Sequence, residues 1–206
     1  KNKIVLLNLK NSRLHNLIFK NEQLNKGSQT AENIYENLVI KDFQDPYPFE
    51  SMTFVPGYIV NNNFLSSTIT AIVSVGARDS IQSNQPVIDF DGNLVGKIQA
   101  VGHNNSKIHI LSDKNFSVSV KTNKSNSISQ FVPTYGKYGR LDGVLKSANI
   151  SVGDIIYTSG NSSIYPYNIP VCKVISTKID KNKFFQDVIV EIISDLDNLS
   201  YVYIIQ

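Results

Sequence analysis

The sequence predicts a mainly β protein in which an N-terminal helix is followed by two small six-stranded β-barrels. From about residue 53 onward, short runs rich in Val and Ile recur along the chain. Turn residues separate these runs at intervals of about ten residues, a spacing typical of sandwiches and small barrels. Closing each sheet into a barrel would remove its exposed edges. Before residue 46 the apolar residues follow a helical spacing instead.

Residues 1–40 are predicted to form a coiled-coil helix. Apolar residues at a three–four spacing form the seam along which two helices pack, so we expect this helix to mediate dimerisation. The seam residues are Ile4, Leu7, Leu14 and Ile18. A single amphipathic helix that packs on the domain behind it is the alternative interpretation. Residues 41–53 are predicted to be a linker, because Pro46 and Pro48 cannot lie inside a helix.

The β region divides into two sets of six strands. We place the first barrel at residues 54–122 and the second at residues 123–206, with the polar stretch "KTNKSNS" near the boundary. The last strand, "YVYIIQ", has the alternative of returning to the first barrel. The sharpest local prediction is a hairpin in "DFDGNLVGKI", where Gly92 supplies the positive φ that a tight turn requires.

Composition and residue spacing exclude several classes of function. Twenty basic and 17 acidic residues give a net charge of +3, without a basic cluster of the kind that binds nucleic acid. The single cysteine, Cys172, excludes an internal disulfide and a thiolate zinc site. The three histidines and the scattered carboxylates show no metal-ligand spacing, and the sequence has no glycine-rich phosphate loop. We therefore expect neither a metal nor a cofactor.

A serine-protease arrangement is the enzyme hypothesis that the sequence invites, because paired barrels carry a Ser-His-Asp triad in chymotrypsin-like proteases. Ser159 lies in a Thr-Ser-Gly turn, and His109 precedes Asp113 by four residues. In a straight strand that spacing separates the side chains by more than about 10 Å, so a hydrogen bond would need a bend. The flanks of Ser159 also lack a glycine-rich oxyanion hole. We predict that the protein is not an enzyme.

Aromatic loops remain as candidate surfaces for binding another protein. Large aromatic side chains on loops are typical anchors at protein interfaces. The segments "QFVPTYGKYGRL" and "SSIYPYNIP" contain the candidate anchors Phe131, Tyr135, Tyr138, Ile164, Tyr165 and Tyr167. The alternative is that each loop packs back on its own barrel.

Four segments, taken in order, resemble passages of one known family. "ILSDKNFSVSVKTNKS" is similar to the passage "LLTDPNSSVSV", and "ISVGDIIYTSGNSSIYPYNIPVCKV" is similar to a signature that reads roughly VGDxVxTSGxxGxFPxGIPVGxV. The hairpin "QPVIDFDGNLVGKIQAVGHNNSKI" and the closing segment "FQDVIVEIISDLDNLSYVYII" also resemble family patterns. The family is MreC, the rod-shape-determining proteins, and the resemblance covers about residues 65–206. Ser163, Asn168 and Cys172 stand where the family pattern has glycines.

The resemblance implies a non-enzymatic scaffold of the bacterial cell-elongation machinery, which maintains cell shape. It implies that the chain binds and activates a class B penicillin-binding protein for peptidoglycan synthesis, works with MreD, RodA and the MreB assembly, and self-associates as a dimer. Because the sequence begins at Lys1, not Met, we expect it to be part of a longer protein, and it has no apolar run of about 18 residues. The resemblance implies that a single-pass anchor in the inner membrane precedes it, with the barrels in the periplasm. An inactive relative of trypsin-like double-barrel proteases and a glycan-binding periplasmic module are the alternatives.

Overall fold

The computed structural model describes residues 52–63, 69–122, 124–180 and 182–206. The predicted coiled-coil helix, with its seam residues Ile4, Leu7, Leu14 and Ile18, and the predicted linker up to residue 51 lie outside the described residues. Residues Phe54–Gln206 form one compact unit. Its described part is mainly β, as the sequence predicts.

Twelve strands and two short 3-10 helices make up the regular structure of the described residues. The strands are β1 Phe54–Asn63, β2 Thr70–Val73, β3 Pro86–Ile88, β4 Leu94–Val101, β5 Ser106–Ile110, β6 Val118–Thr122, β7 Ser125–Pro133, β8 Tyr138–Asp142, β9 Ile155–Thr158, β10 Pro170–Lys178, β11 Asp187–Ile192 and β12 Tyr201–Ile205. The 3-10 helices are Ala77–Asp79 and Leu196–Asn198.

The strands close into two antiparallel barrels, each of six strands. The first has the order β1-β12-β3-β4-β5-β2, and the second has the order β10-β11-β8-β7-β6-β9, with the two ends of each order paired. The prediction of two small six-stranded barrels is therefore confirmed. Closure pairs every strand on both sides, so neither sheet presents an open edge.

The assignment of two strands differs from the expected division at residues 122 and 123. β6, which we placed in the first barrel, pairs with β7 and β9 in the second. β12 returns to the first barrel and pairs with β1 and β3, which is the alternative that the sequence left open. The chain thus crosses between the barrels twice, at residues 111–117 and 193–200. The polar stretch near residue 122 forms the β6–β7 hairpin, because polar residues suit a turn as well as a linker.

Alternating side chains build a separate core inside each barrel. In β5, Ile108 and Ile110 are fully buried, whereas His109 between them is only partly buried. In β11, Val190 is fully buried and its neighbour Ile189 is exposed. This alternation follows from the period-two geometry of a strand. Burying one such aliphatic side chain contributes about 1.5–3 kcal/mol, so each barrel has its own hydrophobic stabilisation.

The β3–β4 hairpin forms as the sequence predicts. Gly92 has φ +83, in the left-handed region. The carboxylate of Asp89 accepts the N–H groups of Asp91 and Asn93, each at 2.9 Å, and holds the loop closed. Burial raises the pKa of Asp89, and the hydrogen bond from the backbone of Asn93 only partly offsets this.

Candidate partner-binding surface

Two of the six candidate anchors are core residues. Phe131, on β7, is fully buried, and Tyr165, in the β9–β10 loop, is only 5% exposed. An anchor at an interface loses solvent contact when the partner binds, and these side chains have almost none to lose. The expectation that Phe131 and Tyr165 contact a partner is therefore corrected: the alternation of β7 turns Phe131 into the barrel, and Tyr165 packs against Phe116 of the first crossing. Ile164 is half-buried.

The other three candidate anchors keep their exposure. Tyr135, at the tip of the β7–β8 hairpin, is 88% exposed, and Tyr138 and Tyr167 are each 41% exposed. Lys137 Nζ lies 5.7 Å from the centre of the Tyr138 ring, and Lys121 Nζ lies 5.4 Å from that of Tyr167. Because β7 and β9 both run antiparallel to β6, these loops share one end of the second barrel. We call this the junction end, since both crossings arrive there.

His109 and Asp113 contact each other at the first crossing. Nε2 of His109 lies 3.1 Å from Oδ1 of Asp113, although the ring N–H is not well aligned for a hydrogen bond. The sequence spacing predicted that a straight strand would keep these two residues apart. That assumption is wrong, because β5 ends at Ile110 and the chain turns immediately, with the N–H of Asp113 bonded to the carbonyl of Ile110 at 3.0 Å.

The Asp113 carboxylate has two further partners, both backbone groups. It accepts the N–H of Ile69 at 2.6 Å and the N–H of Asn115 at 2.8 Å. Burial raises the pKa of Asp113, but the N–H of Asn115, His109 and the N–H of Ile69 together outweigh burial and lower it below its ordinary value. Asp113 is therefore held as a carboxylate in a fully buried position.

Ser159 lies in a structural turn and not beside a base. Its Oγ donates a hydrogen bond to Oγ of Ser119 at 2.9 Å and accepts the N–H of Asn161 at 3.2 Å. Neither group can act as the general base that a nucleophilic serine requires. The next residue, Gly160, has φ +74, and a Cβ there would lie 2.7 Å from Cβ of Tyr167. Both the backbone conformation and the lack of space therefore require glycine.

The second barrel carries an apolar groove that extends toward the end opposite the junction end. Residues 140–143 and 183–189 line this groove, whose volume is about 670 Å³, and we call it the distal groove. Three of its apolar side chains are exposed: Phe184 by 88%, Phe185 by 48% and Ile189 by 46%. A concave apolar surface with a few polar groups is typical of a binding site.

The charged residues of the distal groove are paired with one another. Arg140 makes two contacts with the Asp142 carboxylate, at 2.7 and 3.1 Å. Lys183 Nζ contacts both oxygens of Asp187, at 2.7 and 3.0 Å. Because these pairs cancel, the lining of the groove carries no net charge. The groove therefore offers a partner its apolar side chains and no net charge.

Gln186 supports one wall of the groove from inside. Its side chain is 5% exposed, and its Nε2 donates to the carbonyl oxygens of Leu145 and Ala148, each at 2.9 Å. Leu145 also forms an isolated β-bridge with Phe185. These bonds hold the loop after β8 against the loop that carries Phe184.

The sequence analysis missed the distal groove, although "KNKFFQD" contained a signal for it. Successive side chains of an extended chain point to opposite sides. Phe184 and Phe185, adjacent in a polar turn between two strands, therefore cannot both point into the barrel. What the sequence could not supply was the position of β8, which forms the other wall.

Three further observations concern chemistry and membranes. Cys172, on β10, is fully buried, and burial raises the pKa of its thiol. Within the described ranges, no group of three or more His, Cys, Asp or Glu residues is arranged to hold a metal ion. Among the same residues, no helix has the length and apolar character needed to cross a membrane.

The two strand-exchanging barrels define a double-barrel class of protein, and comparisons with known proteins specify the family. The family model described as "Rod shape-determining protein MreC, barrel core" matches residues 59–206. This match covers well over half of the chain, and the chain belongs to the MreC family.

Curated relatives agree with this assignment. The chain is 30% identical over 136 residues to the cell shape-determining protein MreC of Haemophilus influenzae, covering 65% of this chain and 38% of the relative. It is 26% identical over 123 residues to the MreC of Cereibacter sphaeroides, covering 60% of this chain and 41% of the relative. The chain therefore spans about 40% of the length of the curated relatives that it matches.

Solved structures share the fold. MreC from Pseudomonas aeruginosa superimposes with a TM-score of 0.69 at 22% identity, covering 74% of this chain and 98% of that chain. A complex between penicillin-binding protein PBP2 and MreC from Helicobacter pylori contains a chain that matches with a TM-score of 0.61 at 15% identity, covering 75% of this chain and 98% of that one.

Proposed function

We propose that this chain is a non-enzymatic scaffold of the bacterial cell-elongation complex, which binds a class B penicillin-binding protein and activates it for peptidoglycan synthesis. The match to the MreC barrel core over residues 59–206 carries the proposal. The fold shared with an MreC solved in complex with PBP2 supports the choice of partner. A scaffold that binds the active state of an enzyme more tightly shifts the population toward that state, without chemistry of its own.

The distal groove is the surface that we propose for this docking. Its exposed Phe184 and Phe185 are the kind of aromatic side chains that dominate binding energy at interfaces. Its paired charges favour an uncharged, apolar segment of the penicillin-binding protein. The exposed residues of the junction end, Tyr135, Tyr138 and Tyr167 with half-buried Ile164, form the second candidate surface.

The wider assembly is proposed on the same family basis. We place the barrels in the periplasm, beyond a single-pass anchor in the inner membrane, and in contact with MreD, RodA and the MreB assembly. One related structure, with a TM-score of 0.63 at 19% identity, is the major periplasmic domain of the cell shape-determining filament MreC. Self-association through the helix that the sequence predicts for residues 1–40 belongs to the same proposal.

The test is a binding titration between the whole chain and the periplasmic part of a class B penicillin-binding protein. We expect Phe184→Ala to weaken binding about thirtyfold or more, since truncating a central aromatic anchor costs about 2 kcal/mol or more. Val152→Ala is the matched control, because Val152 is 64% exposed and does not line the groove. Tyr135→Ala tests the junction end in the same way.

The outcomes separate the candidate surfaces from the function itself. Loss of binding in Tyr135→Ala with unchanged binding in Phe184→Ala would move the interface to the junction end. A wild-type chain that neither binds the penicillin-binding protein nor raises its transpeptidase turnover would contradict the function. Labelling of Ser159 by an activity-based serine probe would contradict the non-enzymatic role.

A further inference from the structure

One buried carboxylate holds the first crossing to the first barrel. Asp113 has no solvent exposure, and its Oδ2 accepts the N–H of Ile69, directly before β2, at 2.6 Å. Its Oδ1 accepts the N–H of Asn115, inside the crossing, at 2.8 Å. A single side chain therefore ties the departing chain to a neighbouring strand of the barrel it leaves.

Contacts between aromatic rings continue from the first crossing into the second barrel. The ring of His109, on β5, lies edge-on to Phe116 with 5.3 Å between ring centres, and His109 also contacts Asp113 at 3.1 Å. Phe116 is 2% exposed, and its ring centre lies 6.3 Å from that of Tyr165 in the β9–β10 loop. The contacts thus run from a strand of one barrel, through the crossing, to a loop of the other.

The first crossing is one of the regions that join the two barrels, together with the second crossing and the contact between β4 and β10. Two short crossings, residues 111–117 and 193–200, are the covalent connections between the barrels. Bodies joined by short connections move relative to one another unless a well-packed interface holds them. The buried contacts of the first crossing supply such an interface, and hinge motion would have to break them.

We propose that Asp113 is a positioning residue, which with His109, Phe116 and Tyr165 forms a latch that fixes the orientation of the second barrel on the first. The latch itself stands on the geometry alone. Its consequence for binding rests on the proposed function: a partner that contacts both barrels would meet their surfaces in one fixed arrangement.

The distance between the barrels tests the latch directly. Spin labels on Ser83→Cys in the first barrel and Val152→Cys in the second occupy exposed positions. The native Cys172 is fully buried, so it stays in place without taking a label. Double electron–electron resonance measures the distance between the two labels. It should give one narrow distance distribution for the labelled chain that carries no further substitution. In Asp113→Ala we expect that distribution to become roughly twofold wider or to shift.

Two controls separate the latch from general destabilisation. Val87→Ala removes a fully buried side chain of the first barrel core, and it should lower the unfolding temperature while the distribution stays narrow. Tyr165→Leu removes the ring of the second barrel that contacts Phe116, and should therefore also disrupt the latch. It serves as the test variant if Asp113→Ala fails to fold. An unchanged distribution in both latch variants, or equal widening in Val87→Ala, would overturn the proposal.

Binding measured on the same variants keeps this proposal distinct from the proposed function. Phe184→Ala should lose affinity for the penicillin-binding protein and keep the narrow distance distribution. Asp113→Ala should widen the distribution although its groove residues are unchanged. A wild-type chain that binds no penicillin-binding protein would contradict the proposed function, while the distance distributions would still decide the latch.

Discussion

Replacing Phe131 with alanine distinguishes a core residue from a partner anchor. Phe131 is fully buried on β7, and its ring packs so tightly on β8 that a Cβ at Gly139 would lie 2.5 Å from its Cε2. Removing a buried Phe side chain costs about 3–5 kcal/mol, because burial is lost and a cavity remains. A closed barrel has little freedom to collapse into that cavity, so we expect the upper half of this range.

Thermal unfolding followed by circular dichroism measures the effect. For a unit of this size each kcal/mol lowers the midpoint by about 2–4 °C, so Phe131→Ala should lower it by roughly 8–20 °C. Tyr135→Ala is the control, since Tyr135 is 88% exposed and its truncation should change stability by less than about 0.5 kcal/mol. Equal midpoints for both variants would refute the placement of Phe131 in the core.

Four further predictions concern stability and reactivity. An alanine in the left-handed conformation destabilises a protein by about 1–2 kcal/mol. In a denaturant titration Gly160→Ala should lose more stability than this, because its Cβ would also overlap Tyr167. Gly92→Ala, with φ +83 and open space around the Cβ, should lose only the conformational part. The lowered pKa of Asp113 contributes stability that is present above its ordinary value of 3.8 and is lost as pH falls through the lowered pKa. The stability difference between wild type and Asp113→Asn should therefore shrink in acid, and a constant difference would contradict this. Cys172 should react with iodoacetamide only after unfolding, since burial raises its thiol pKa, and rapid labelling of the folded chain would count against the structure. Gln186→Leu should cost about 1–2 kcal/mol in urea, because it removes the side-chain donor of the Ala148 carbonyl and leaves the Leu145 carbonyl with the N–H of Ala148 alone, and it should also weaken partner binding.

Strand patterns predicted the barrels because local alternation and turn spacing are properties of short segments. The alternation in β5 and the turn at Gly92 could both be identified without knowing what lies beside them. Strand exchange is different, because it depends on which distant strands pair. Nothing local in "YVYIIQ" distinguishes a partner in the first barrel from one in the second.

The candidate site was predicted less well, for a related reason. An aromatic residue in a loop is either exposed, and so available to a partner, or packed against the protein itself. Which of the two applies depends on the residues that lie beside it in the fold, and these are not its neighbours in the sequence. Tyr165 is buried because Phe116, from a distant part of the chain, lies against it, while Tyr135 has no such cover. The pairing of His109 with Asp113 depended on a turn that strand geometry could not anticipate.

The strand order makes the second barrel an insertion within the first. β6 to β11 are contiguous in the sequence and form the second barrel, whereas the first barrel closes only when β12 inserts between β1 and β3. Without β12, those two strands would present open edges. The first and the last strand of the inserted barrel, β6 and β11, are thus both joined at the junction end to a barrel that needs β12 to close. Such an arrangement would suit the proposed scaffold, since the distal groove lies toward the far end of a barrel that is attached through two crossings, one of them held by the hydrogen bonds of Asp113.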